Sequence, residues 1–119
     1  MMASRKVSVS ICTTAIAAAA MIAFTTTAAL AVDAEALWAK NCASCHGKDG
    51  KGSKAGEKMG VEDLTSPAKK AKIDAKKVEE SMTIGVKAKD SDKMVMKSYK
   101  DKLTPEEIKA LTDYTLALK

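Results

Sequence analysis

The segment "CASCHGKDGKG" opens at Cys42 and carries the only histidine of the chain, His46, directly after two cysteines three positions apart. No other stretch restricts the fold as strongly. Two thiols and an imidazole stand within about one turn of backbone, so whatever they bind or form must be accommodated where this segment lies. The remaining cysteine, Cys12, belongs to a stretch of different character.

That stretch comes first in the chain. Arg5 and Lys6 form a short basic region, Val7 to Leu30 follow without a charge, and Ala29-Leu30-Ala31 has the small-x-small pattern of a signal peptidase site. Residues 1–31 are therefore expected to be a cleaved signal peptide, and residues 32–119 the mature domain, delivered to the periplasm or another exported compartment. The uncharged run is also long enough to span a bilayer, so an uncleaved membrane anchor is the alternative. Cys12 follows Ile11, a poor context for lipoprotein processing, and is expected to be discarded with the leader.

The 88 residues that follow suit a single domain with a thin core, because Trp38, Tyr99 and Tyr114 are their only aromatic side chains. A core so poor in large side chains needs a staple or a cofactor. A Cys42–Cys45 disulfide would be a weak staple, since it closes a very short loop and restrains little unfolded-chain entropy. The same residues contain eighteen lysines, no arginine and fifteen carboxylates, a formal charge of +3. This is a solvated, mildly basic surface. Export and the lack of arginine argue against nucleic acid as a partner. A lysine-rich face that docks an acidic redox protein is consistent with it.

Helical signals dominate. Asp33 can cap a helix that runs through Leu37 and Trp38 for about three turns and ends near the cysteine pair. Five glycines between Gly47 and Gly60 predict a loop, and "GKDGKG" lacks the Ser or Thr ending of a phosphate loop. Pro67 sits in a stretch suited to one short helical turn. Asp74 can cap a helix ending at Gly85, with Val78 and Met82 one turn apart. "VKAKDSDKMVMKSYKDK" reads as a polar loop. The last helix is the clearest: Thr104 as N-cap, Pro105 at the first helical position and Glu107 completing a capping box, with Ile108, Leu111, Tyr114, Thr115 and Leu118 on one face. No alternation long enough for a sheet is present, and the chain reads as a small all-α domain.

Three chemistries compete for Cys42, Cys45 and His46. Zinc would need a carboxylate as fourth protein ligand, because the mature chain has no further Cys or His, and His46 beside Cys45 is poorly placed to face the same ion. A thiol-disulfide oxidoreductase carries its cysteine pair at the start of a helix, where the dipole lowers the first thiol's pKa; here the helix-forming stretch precedes the pair. Covalent haem attachment meets neither objection. Cys42 and Cys45 would form thioethers to the porphyrin, and His46 would be the proximal iron ligand. One covalent haem c, with its iron, would also supply the apolar centre that the aromatic-poor core lacks.

With one histidine in the chain, a second imidazole cannot complete the coordination. Met59, Met82, Met94 and Met96 are the neutral sulfur candidates. Met82 shares a helical face with Val78 and reads as core filler, whereas Met94 and Met96 lie in a polar loop that could fold over the opposite side of the ring.

In "ALWAKNCASCHGKDGKG" and "MKSYKDKLTPEEIKALTDYTLAL", and in their order and separation, the chain resembles the class I monohaem c-type cytochromes, the small bacterial soluble cytochromes c. The resemblance runs from Ala34 to Leu118. It implies a fold of three to five helices around one covalently bound haem, the first and last helices crossing beside it with Trp38 and Tyr114 near the crossing. It also implies that Met96 is the distal ligand, with Met94 the rival. Two departures stand out: Lys97 replaces a customary proline after the methionine, and the 60–64 stretch lacks the proline whose neighbourhood orients the proximal histidine. The implied function is one-electron transfer by a soluble monomeric carrier with His/Met ligation, no acid-base or nucleophilic catalysis, and Lys48, Lys51, Lys54 and Lys97 steering an acidic or membrane-bound redox partner. The alternatives are a haem enzyme or small-ligand sensor with a displaceable distal Met, and a cytochrome subunit of a membrane redox complex.

Overall fold

The capping box expected at Thr104 forms, and it starts the longest helix among the described residues. The Thr104 hydroxyl accepts from the Glu107 backbone N–H at 3.2 Å, and the Glu107 carboxylate accepts from the Thr104 N–H at 2.8 Å. The computed structural model describes residues 31–119, so the signal-peptide reading falls outside the described residues except at Ala31. In chain order the elements are α1 (Ala34–Asn41), α2 (Ala43–His46), α3 (Lys54–Glu57), α4 (Pro67–Lys70), α5 (Ala75–Ile84), β1 (Val86–Lys87), β2 (Met94–Met96) and α6 (Pro105–Ala117). The architecture is all-α: α1, α5 and α6 carry the fold, and α2, α3 and α4 are single turns of four residues each. Among the described residues, no helix is long and apolar enough to cross a membrane.

The caps act where the residue types place them. Asp33 accepts from Ala36 N–H at 3.0 Å and Asp74 from Lys77 N–H at 2.9 Å, each satisfying an otherwise unpaired donor of a first turn. Gly85 ends α5 at φ +80°, a conformation open to glycine.

Three local differences from the sequence reading have physical causes. The first helix is eight residues, because the chain breaks at Cys42 (φ −117°) and restarts as α2. Ser53 caps the short α3 inside the glycine-rich stretch, its hydroxyl accepting from Gly56 N–H at 3.0 Å. The segment read as a polar loop contains a two-stranded antiparallel pair, Val86 opposite Met96 and Lys87 opposite Met94, with an irregularity between Val86 and Lys87. Strands of two and three residues are too short to show an alternating pattern.

Helix α6 packs on both α1 and α5. The buried hydrophobic residues are Trp38, Met82, Leu103 and Leu111, one or two from each segment that meets there. The Trp38 and Tyr114 rings lie 5.4 Å apart and tilted, so the pair expected between the first and last helices is formed. Thr112 and Thr115 are also buried on α6; their hydroxyls donate to Ile108 O and Leu111 O at 2.8 and 2.7 Å, which removes the cost of burying them unpaired.

Candidate functional site

The Cys42–His46 segment is a single helical turn clamped from both ends. Cys45 N–H and His46 N–H donate to Cys42 O at 3.2 and 2.9 Å. Gly47 reverses the chain at φ +77°, and its carbonyl accepts from the Trp38 indole N–H at 3.0 Å. The chain then folds back: Gly52 N–H donates to His46 O at 2.7 Å and Ser53 N–H to Cys45 O at 2.9 Å. Approach is closest at Gly56, where an added Cβ would stand 2.0 Å from Cys45 O.

Cys42 and Cys45 are free thiols, both half-buried. Burial, and then the neighbouring Cys45, pushes the Cys42 thiol up to about 11. That shift runs opposite to the one that activates a redox dithiol. Among the described residues, no three His, Cys, Asp or Glu side chains gather as a metal site. His46 is half-buried beside Trp38, ring centroids 5.8 Å apart. Burial and then the Lys69 charge hold its pKa below the usual imidazole range, which favours the neutral form that a metal ligand requires. Its Nδ1 is buried without a hydrogen-bond partner.

Beside these residues is a cavity of about 610 Å³. Trp38, Cys42 and His46 form one part of its wall, Met82 and Val78 of α5 another, and Met96 of β2 a third. Of the four sulfur candidates, Met59, Met82 and Met96 line it, and Met94 does not. Met94 is 44 % exposed, with its Cε against Gly85. Met82 is 5 % exposed within the hydrophobic core, in keeping with its reading as filler. Cys45 is adjacent to His46 but does not itself line the cavity.

The lysines expected to steer a partner and the lysines of the cavity are different sets. Lys48, Lys51, Lys54 and Lys97 are exposed and none lines the cavity; Lys97 stands over the Tyr99 ring, 5.7 Å from its centroid. Those that do line it are Lys69, Lys77, Lys87 and Lys89, with Glu62 as the one carboxylate among the lining residues, ion-paired to Lys69. Sequence reasoning missed these four because lysine occurs in every segment of the chain, and its density carries no positional signal.

A largely apolar cavity, a neutral imidazole with an unspent buried nitrogen, methionine thioethers in the same lining and a basic wall are together suited to haem: apolar ring, iron and two carboxylate side chains. The family model for cytochrome c matches residues 31–119. The chain belongs to the cytochrome c family. No curated protein matches it. Among solved structures, the c-type cytochrome KustC0563 is similar at 31 % identity and a TM-score of 0.65, over 74 % of this chain and 99 % of its own. A tyrosine-to-phenylalanine mutant of that protein gives a TM-score of 0.62 at the same identity, over 74 % of this chain and all of its own. The cytochrome therefore has a small, haem-binding fold of the electron-carrier type.

Proposed function

We propose that this cytochrome is an exported one-electron carrier holding a single covalent haem c, with residues 1–31 removed as a signal peptide. Cys42 and Cys45 are the thioether positions, His46 the proximal ligand and Met96 the distal one. The observation that carries the reading is the shared cavity: Cys42 and His46 reach its wall from the first two helices, and Met96 from a strand near the far end of the chain. When bound, haem supplies an iron whose ferric and ferrous states store one electron.

The residues around the site have separable tasks. His46, kept neutral by burial, offers a lone pair. Met96 offers a thioether, a donor that raises the potential relative to stronger ligands. Trp38, Val78 and Met82 exclude water from the ring, while Lys69, Lys77, Lys87 and Lys89 answer the charge of the haem carboxylates. With His46 and Met96 both holding the iron, no position would be left open to a substrate, which would favour electron transfer over catalysis. Exposed lysines, Lys48, Lys51, Lys54 and Lys97 among them, steer an acidic redox partner.

The test is absorption spectroscopy and mass measurement of the exported protein. The expected result is a mass increased by one haem that survives acid extraction, with a weak far-red band reporting sulfur ligation of ferric iron. Protein whose haem is extracted by acid, or whose ferrous form binds carbon monoxide rapidly and completely, would contradict covalent attachment or stable Met ligation respectively.

A further inference from the structure

Lys97 leaves the segment after Met96 without a ring to restrict its backbone. Hydrogen bonds provide the restraint. Tyr99 N–H donates to Met82 O at 2.7 Å and the Ser98 hydroxyl to Thr83 O at 2.5 Å, so two of the last four carbonyls of α5 are satisfied by this segment. The Tyr99 hydroxyl reaches a different helix and donates to Asn41 O at 3.0 Å. Asn41 is the last residue of α1 and directly precedes Cys42. Among the described residues, this is the one hydrogen bond joining residues 94–99 to residues 34–46, and therefore the direct link between the wall that carries Met96 and the wall that carries Cys42 and His46. The backbone of Tyr99 is anchored too: its carbonyl accepts from Lys102 N–H and Leu103 N–H, each at 2.9 Å, and Leu103 is a buried core residue. Burial raises the pKa of the phenol, which therefore keeps the proton it donates.

We propose that Ser98 and Tyr99 form a clasp that holds the Met96 sulfur in place, by tying its loop to the end of α5 and to the end of α1 beside Cys42. Both are positioning residues, and the inference rests on the reading of Met96 as the distal ligand. A loop released on one side reaches more conformations in which the sulfur is withdrawn, so an external ligand competes better for the sixth position. Helix capping alone would have no such effect.

The test uses ferric mature holoprotein titrated with imidazole, with the far-red sulfur band and the thermal midpoint recorded alongside. Tyr99→Phe, which keeps the ring and removes the hydroxyl, and Ser98→Ala should each bind imidazole a few-fold to about tenfold more tightly than the parent, the factor that one net hydrogen bond provides. Lys100→Ala, an exposed neighbour, should bind as the parent does. Imidazole affinities within about twofold of the parent in both variants, even with lowered thermal midpoints, would reduce the two residues to structural capping and overturn the clasp. Should one variant fail to yield holoprotein, the other decides. Met96→Leu separates the two levels: if it retains the far-red band, the ligand reading is wrong; if it loses the band while Tyr99→Phe and Ser98→Ala behave as the parent, the clasp alone is wrong.

Discussion

Met94 and Met96 are two residues apart, yet only one of them reaches the cavity. Strand β2 is paired through an irregularity at Val86/Lys87, and Gly85 leaves room for the Met94 methyl group on its surface. Met96→Leu should therefore abolish the far-red sulfur band, and Met94→Leu should leave its intensity unchanged. A pH prediction belongs to Asp63. Its carboxylate accepts from the Thr65 hydroxyl at 2.6 Å and the Thr65 N–H at 2.8 Å, which holds its pKa below the usual carboxylate range. A depressed folded-state pKa contributes stability above the unfolded value, lost as pH falls through the folded one. Asp63→Asn should lower the thermal midpoint at neutral pH and flatten its decline in acid. The parent's extra decline should lie within and below the ordinary carboxylate range.

Among the elements, α6 was legible because its signals are local. Thr104, Pro105 and Glu107 lie within a single turn, and the structure needs nothing distant to form the cap. Thr104→Ala should cost about 1 kcal/mol in urea unfolding, the usual value of an N-cap. The single turns α2 and α3 were not legible, because they depend on each other: Ser53 and Gly56 of one lean on the carbonyls of the other. The Ser53 hydroxyl donates to Ser44 O at 2.6 Å. Gly56→Ala puts a methyl group into Cys45 O, which is backbone and cannot step aside. It should destabilise by about 1–3 kcal/mol, as overpacking does, and should reduce the yield of holoprotein.

At the scale of the whole molecule, three helices meet over a core of few large residues, beside a cavity of comparable importance to it. A core of this kind depends on what fills the cavity. The double variant Cys42→Ser/Cys45→Ser should lose its cooperative thermal transition in circular dichroism, although every residue of the hydrophobic core remains. The basic wall gives a prediction of sign. Lys69→Gln with Lys77→Gln removes positive charge beside the site, favours the ferric over the ferrous state, and should lower the reduction potential in a redox titration. Sequence alone determined what lies in short runs of chain: the family, the all-α class, the caps of α1, α5 and α6, and the candidate attachment segment at Cys42, Cys45 and His46. Those signals arise from residues within a few positions of one another, where backbone geometry alone brings them together. Tertiary structure decided that Met96 and not Met94 lines the cavity with His46, which four of eighteen lysines line it, and that Tyr99 reaches Asn41. Those contacts depend on how α5, β2 and α1 pack against one another, and no local pattern encodes the distance between them.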